Sequence, residues 1–513
     1  MKNRITIWIV IGVSALFQSC QDFLERPPYG VQTSENYYTK PEDLVSTLTD
    51  AYNIIGTYDF ETTLFPFGNI MTDDSEKGGS DVNDSADMYD LMLFRAVSTN
   101  LRCKMLWTNA YQGIYKCNLV ISKSAQLESK NPELVKRVVA EAKFMRGMYY
   151  YFLATTFGGL PLALSPMVVN ELTLERSTSD ETWNQIEKDF LEASTVLPEK
   201  SKYPAEDLGR TTAGAAKTML AKAYLMRQKY KEAETALAEV VNSGEYGLVP
   251  DFGKLFTKEY ENGVESVFEI QHTGTKSGWM DTEGTVIPIH CMSRKNGGWG
   301  FDCPTQDLKN EFESGDPRMI YTFTVTNDVF IGSEEKINNV DSPTGYHNRK
   351  VHIAPSEQDW HWGSDQPYNI RLLRYADVLL LYAEVLNENG KSAEALKPLN
   401  QVRERARNTN PIDPKRTYQV LQVNVDLPDV TTTNQEKLRQ QIWHERRVEL
   451  AMEYHRREDL IRQQRFGDVM RGFAREWKSI KGANFNDDYH YLCPVPQEEI
   501  DKSNGQITQN KGY

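Results

Sequence analysis

The stretch that most restricts how this chain can fold is residues 434–465, with QIWHERRVELAMEYHRREDLIRQQ at its centre, free of proline and rich in helix formers. One continuous helix is expected. At 100° per residue Leu438, Ile442, Met452 and Leu460 fall on one face, as a core-facing helix requires. The same stripe carries Glu445, Glu449 and Glu453 at i, i+4 and i+8, with Arg456 among them. Like charges at that spacing destabilise an isolated helix, and an unpaired carboxylate against an apolar core is costly. Cations must therefore come from elsewhere in the fold. Such a cluster either performs acid/base chemistry or forms a structural ion-pair network. The network is the expectation, with Arg371, Arg374, Arg403 and Arg405 of the preceding segment as the partners nearest in sequence.

A chain of 513 residues is too long for one compact core, which implies two or more lobes or a stacked helical array. The net charge of −14, or −16 without Lys2 and Arg4, argues against a nucleic-acid partner, because phosphate binding needs a basic face. Those two cations precede an apolar run over residues 5–17 that ends at Ser19-Cys20. Thirteen residues are too few to span a bilayer. A cysteine just behind such a run, with a small residue before it, has the form of a lipoprotein processing site, so Cys20 is expected to be acylated and to become the N-terminus. No other run reaches eighteen apolar residues, so a lipid anchor without a membrane span is expected. The five remaining cysteines, Cys103, Cys117, Cys291, Cys303 and Cys493, contain no CxxC pair and read as isolated buried thiols.

Helical periodicity begins at Pro41 and recurs along the chain. Residues 212–241 read as a helical hairpin turning at Lys229-Tyr230, and residues 374–406 repeat the form with a turn at Gly390-Lys391. Small residues at Ala221, Ala223, Ala233, Ala383, Ala393 and Ala395 allow close helix approach. A third pair is expected within residues 140–197, with Gly158-Gly159 and Pro161 stopping its first helix. The fold class is therefore mostly α: a tetratricopeptide-like helical-hairpin scaffold with irregular, loop-rich insertions and a few short strands. Residues 264–273 and 321–326 alternate as strands do. Residues 71–89 form an Asp- and Ser-rich polar loop without the D-x-D-x-D-G spacing of a calcium loop.

Between the hairpins, residues 272–369 are Gly-rich and hold Trp279, Trp299, Trp360 and Trp362, four of nine tryptophans. Loops on a rigid scaffold are where binding chemistry concentrates. A Trp presents a flat apolar face that suits the CH-rich face of a sugar ring, and carboxylate and amide groups bind its hydroxyls. The candidate ligand contacts are therefore these four rings with Asp81 and Asn83 of the polar loop; the competing role for each ring is to plug its loop onto the scaffold. No zinc-protease helix, GxSxG elbow, Walker loop or dinucleotide fingerprint is present, so no catalytic residue, metal ligand or cofactor site is assigned.

Several segments carry a family resemblance. Glu445, Arg446, Glu449, Leu450, Ala451, Glu453, Arg456, Asp459, Leu460 and Arg462 match ER-x-x-EL-A-x-E-x-x-R-x-x-DL-x-R; Arg457 and Glu458 stand where aromatics are usual. The ending YLCPVPQEEIDKSNGQITQNKGY matches at Pro494, Pro496, Glu499, Ile500, Asn504, Gln509, Asn510, Gly512 and Tyr513. Trp107, Tyr111, Ile114 and Asn118, the AEAKF…FGGLP element and Asp316-Pro317-Arg318 add to these. Together they resemble the SusD/RagB family, nutrient-binding outer-membrane lipoproteins of Bacteroidetes. Asp22 and Glu25 are similar to the acidic residues that mark surface export there. The resemblance implies a cell-surface lipoprotein that captures an oligosaccharide or polysaccharide and delivers it to a SusC-like TonB-dependent transporter. It implies a leader at 1–20, an N-terminal helical region at 21–250 and a C-terminal region at 251–513. A RagB-like peptide binder and a surface glycoside hydrolase are the alternatives, the latter needing two carboxylates across the aromatic cleft.

Overall fold

The computed structural model describes residues 37–167, 174–274, 283–354, 356, 366–409 and 427–513. Cys20 and the rest of the leader, Trp279, Trp360 and Trp362 lie outside the described residues.

Helix follows helix along most of the chain, each packed on its predecessor. The long helices are α1 (Pro41–Ile55), α2 (Leu101–Lys123), α3 (Pro132–Phe157), α4 (Ser179–Ser194), α5 (Ala213–Met226), α6 (Tyr230–Asn242), α7 (Tyr375–Glu388), α8 (Ser392–Asn408) and α9 (Gln435–Glu449). Packing runs in chain order from α1 to α8, with α6 against α7 and α9 closing on α7. That is the tetratricopeptide-like scaffold, interrupted between α6 and α7 by an insertion of more than a hundred residues. The three expected hairpins are α3/α4, α5/α6 and α7/α8. Side chains at the starts fix several boundaries: Thr178 Oγ1 accepts from Glu181 N–H while the Glu181 carboxylate accepts from Thr178 N–H, and Asn100 Oδ1 accepts from Arg102 and Cys103. Five of the six alanines singled out are fully buried; Ala393 is exposed, because it sits on the outer face of α8's first turn.

Three two-stranded antiparallel sheets organise the insertion. β1 (Ser75–Gly78) pairs with β3 (Phe301–Pro304), β2 (Ser266–Ile270) with β6 (Ile370–Arg374), and β4 (Phe323–Thr324) with β5 (His347–Asn348). The β2–β6 pair, offset by irregular register between Ser266 and Glu269, feeds directly into α7. Residues 321–326 are strand only over the two residues of β4, since Arg318–Thr322 is a short helix.

Residues 434–465 are not one helix. α9 stops at Glu449, and α10 (Arg456–Arg462) starts in a new direction. Between them Met452 and Tyr454 adopt φ of 64° and 71°, a left-handed backbone that non-glycine residues rarely take. Tertiary contacts outweigh the helix propensity of this stretch. The Met452 carbonyl accepts from Asn348 Nδ2 at 3.3 Å, and Tyr454 N–H donates to Asn69 Oδ1 at 3.1 Å. Gly68 lets the turn approach, since a Cβ there would lie 2.6 Å from Tyr454 Cα. After α10 comes α11 (Phe466–Trp477), and the terminal segment then returns across α3, with Asn510 Nδ2 donating to the carbonyls of Phe157 and Cys493.

Candidate functional site

Glu445, Glu449 and Glu453 are all buried, and each meets cations. Glu445 pairs with Arg318 and with Arg403 at 2.7 Å. Glu449 is surrounded by Arg318 at 2.9 Å, Arg374 and Arg405. Glu453, displaced into the turn, bonds Arg374 and Lys350, both at 2.6 Å. Burial alone would raise these carboxyl groups, yet the surrounding cations hold Glu449 and Glu453 below the usual range, so neither is poised as a proton donor near neutrality. The cluster is an ion-pair network. Three of the four expected arginines belong to it. Arg371 does not: it lies on β6 facing Glu269, at 3.8 Å, and the Thr257 carbonyl. Arg318 was missed, although it is fully buried and bonds Asp316, Glu445 and Glu449 together. Its only sequence signal is the DPR turn.

The polar loop divides in two. Asp73 and Asp74 are buried beneath it and bind Arg447 and Arg456, with Asp73 to Arg447 at 2.8 Å and to Arg456 at 2.7 Å. Asp87 caps Arg102 at 2.7 Å. Residues 79–86 carry the loop's exposed part, fully exposed over residues 80–83 and at Ala86. They are delivered to the surface by the β1–β3 pair, in which Gly78 faces Phe301 and Gly79 N–H donates to the Gly300 carbonyl at 2.8 Å. That register places the loop beside Gly297-Gly298-Trp299-Gly300.

The pairing brings three candidate residues into one region. Asp81 and Asn83 are exposed at the loop tip, where Asp81 Oδ1 accepts from Asn83 N–H at 2.7 Å. Trp299 is half-buried, packed against the main core with its ring edge-on to His290 at 4.5 Å. Gly298 makes this possible, because a Cβ would lie 2.1 Å from the Met292 carbonyl. Arg294 ties the two sides together: its guanidinium donates to Asp84 at 3.2 Å and to the Trp299 carbonyl at 3.0 Å. Lys77, buried and held below its ordinary pKa by desolvation, donates to the carbonyls of Asp81, at 2.8 Å, and Asp84. Ser80 donates twice to Asp84, whose carboxyl lies below its usual range: burial opposes that shift, and the Ser80 hydrogen bonds outweigh burial. The loop is thus preorganised rather than waiting for a ligand to order it. Beneath Trp299, His290 sits among Tyr58, Phe65 and Phe301, and burial pushes its pKa down to about 3, so it is neutral. Arg294, Lys77 and His290 carry no sequence signal of these roles; only the strand pairing reveals them.

No group of three or more His, Cys, Asp or Glu side chains is arranged to hold a metal ion among the described residues. Among those residues, too, no helix is long and apolar enough to cross a membrane.

Comparison with known proteins places the chain. The profile described as "SusD family" matches residues 264–513, and that described as "Starch-binding associating with outer membrane" matches residues 22–225. Among curated relatives, SusD-like protein P2 of Formosa agariphila is 26% identical over 100% of both chains, and SusD-like protein P25 of the same organism is 24% identical over 96% of both. Among solved structures, surface glycan-binding protein A from Bacteroides fluxus superimposes with a TM-score of 0.76 at 25% identity, covering 92% of this chain and 99% of its own. Surface glycan-binding protein A from Bacteroides thetaiotaomicron, solved with laminarihexaose, gives 0.76 at 22% identity, covering 92% and 100%. With helical scaffold, insertion and terminal segment all matched, the chain belongs to the SusD/RagB family.

Proposed function

We propose that this protein captures an oligosaccharide at the cell surface, using Trp299 as a stacking face and Asp81 and Asn83 as hydroxyl partners, and passes it to a SusC-like TonB-dependent transporter. The observation that carries the reading is the β1–β3 pairing, which sets an exposed carboxylate and amide beside a half-buried indole on a braced loop. A ring with one apolar face and hydroxyls at its edge matches that combination. The 25% identical Bacteroides fluxus structure, named a surface glycan-binding protein, supports the ligand class. Trp279, Trp360 and Trp362 complete the candidate aromatic set, and Cys20 is the proposed lipid anchor that holds the protein on the outer membrane facing outward. The role is capture without turnover.

A glycan array probed with the protein lacking residues 1–20, alongside peptide ligands, identifies the class. Titration calorimetry then assigns the site. The Asp81→Ala/Asn83→Ala variant should weaken binding about tenfold or more with an unchanged melting temperature, because both side chains are exposed. Trp299→Ala should abolish binding and also cost roughly 1–2 kcal/mol, since half of the ring is packed. Unaltered affinity in both variants would move the site elsewhere, and peptide-only binding would replace the glycan by a peptide. For the anchor, Cys20→Ala should leave the detergent phase on partition; retention there rejects lipidation at Cys20.

A further inference from the structure

A second cleft opens between α9 and α11, away from the loop site. It holds about 260 Å³ and is walled by Gln440, Trp443, His444 and Arg447 of α9 and by Arg465, Val469 and Glu476 along the start and face of α11. A single sugar ring fits such a volume.

Its charges are unevenly matched. Arg447 is met by Asp73, Asp74, Asp307 and Glu311, the last at 3.0 Å. Arg456 is met by Asp73 at 2.7 Å. His444 bridges Glu311 at 2.8 Å and Glu313 at 3.3 Å. Among the described residues, no carboxylate lies within salt-bridge distance of Arg465. Its guanidinium lies over the Trp443 ring, 4.7 Å from the centroid, and donates to the Gln463 side chain at 2.7 Å. Burial and the neighbouring Arg456 cation push its pKa down to about 10, against the opposing pull of the Asp73 and Asp459 carboxylates. The buried arginines 318, 374, 403, 405, 446 and 462 each hold a carboxylate, and buried Arg457 donates instead to the carbonyls of Thr155 and Tyr491, whereas Arg465 faces the cleft. The indole N–H of Trp443 is turned away to Glu384 at 3.2 Å, leaving the ring face as a platform that fixes the guanidinium. Of the acidic groups in the wall, Asp73, Asp307 and Glu311 are already committed to Arg447, Asp73 also to Arg456, and Glu476 stands exposed at the rim.

We propose that this cleft is a second ligand site, selective for a sugar acid, whose carboxylate binds Arg465 while its hydroxyls meet Gln440 and Asp307. A planar guanidinium held against a ring is preorganised for a two-point bond to a carboxylate. The choice of a sugar acid over another small carboxylate rests on the glycan-binding reading, whereas the demand for an anion rests on Arg465 alone.

The test is titration of the protein lacking residues 1–20 with sodium glucuronate, sodium acetate and glucose at matched ionic strength, followed by tryptophan fluorescence and calorimetry. Glucuronate should bind, with acetate and glucose at least tenfold weaker. Arg465→Met should weaken glucuronate about tenfold or more. Glu476→Gln, at an exposed position that leaves folding intact, should tighten it about twofold by removing a like charge. Trp299→Ala should leave glucuronate binding unchanged while affecting neutral glycan, which separates this site from the other. Absence of glucuronate binding, equal binding of acetate, or loss on Trp299→Ala with none on Arg465→Met each overturns the proposal.

Discussion

Glu449 shows how a buried charge is tolerated. Three guanidinium groups converge on it, from Arg318, Arg374 and Arg405, and its desolvation is offset only while all the partners remain. Glu449→Ala strands three cations in the core and should cost about 3–5 kcal/mol, read as a lower denaturant midpoint; a loss under about 1 kcal/mol would mean the cations find other partners. His444 gives a pH signature. Although burial opposes it, bonds to Glu311 and Glu313 raise its pKa to about 9 from 6.5, and both carboxyls fall to about 2 from 4.5. The charged histidine contributes fully below pH 6.5, and its contribution is lost as pH rises towards 9; the carboxylates contribute fully above 4.5, losing theirs as pH falls towards 2. The unfolding free energy obtained from denaturant titrations between pH 6 and 9.5 should therefore fall by roughly 2–3 kcal/mol on the alkaline side. His444→Gln should flatten that limb, and an undiminished limb would place its origin elsewhere.

At the scale of elements, the loop site depends on one short pairing. β1 and β3 are four residues each, and Gly78 at their crossing has φ of 73° with a virtual Cβ 2.1 Å from the Gly300 carbonyl. Gly78→Ala must push the strands apart, detaching residues 79–85 from the Trp299 turn. Glycan affinity should fall at least about tenfold while the helical circular dichroism is retained, because the contact lies between two short strands. Wild-type affinity in that variant would show the pairing to be dispensable. The break between α9 and α10 follows the same logic in reverse: Asn69, Asn348 and Gly68, none of them in that segment, impose the turn.

For the whole molecule, the main apolar core runs from Tyr38 to Val495, and α6 packs on α7 across the insertion. Salt bridges cross the same divide: Arg456 reaches back 383 residues to Asp73, and Lys222 on α5 pairs with Glu458 at 2.9 Å. A division at residue 250 would expose helix faces on both sides and leave Asp73, Asp74 and Lys222 without partners. Residues 21–250 and 251–513 expressed apart should be poorly soluble and lack a cooperative melt, whereas the intact chain should show a single transition. Two independent transitions in the intact chain would establish separable lobes.

Much of this was open to local reasoning, for a physical reason that also marks its limit. Helix periodicity, glycine stops and alanine contacts act over a few residues, so α3 to α8 and their hairpins follow from the chain itself, as does the need of Glu445, Glu449 and Glu453 for cations. Arg374, Arg403 and Arg405 were recognisable as those cations because the hairpin carrying them precedes the carboxylates directly. Arg318, 131 residues from Glu449, was not; nor was the turn at Met452 and Tyr454, where side chains from distant segments override propensity. Asp73 and Asp81 read alike in one polar run, yet one is buried under two arginines and the other is exposed. Composition states only that a residue is charged. Whether that charge is buried against a partner or presented to a ligand depends on strand register and helix packing, and these are long-range properties that the tertiary structure alone decides.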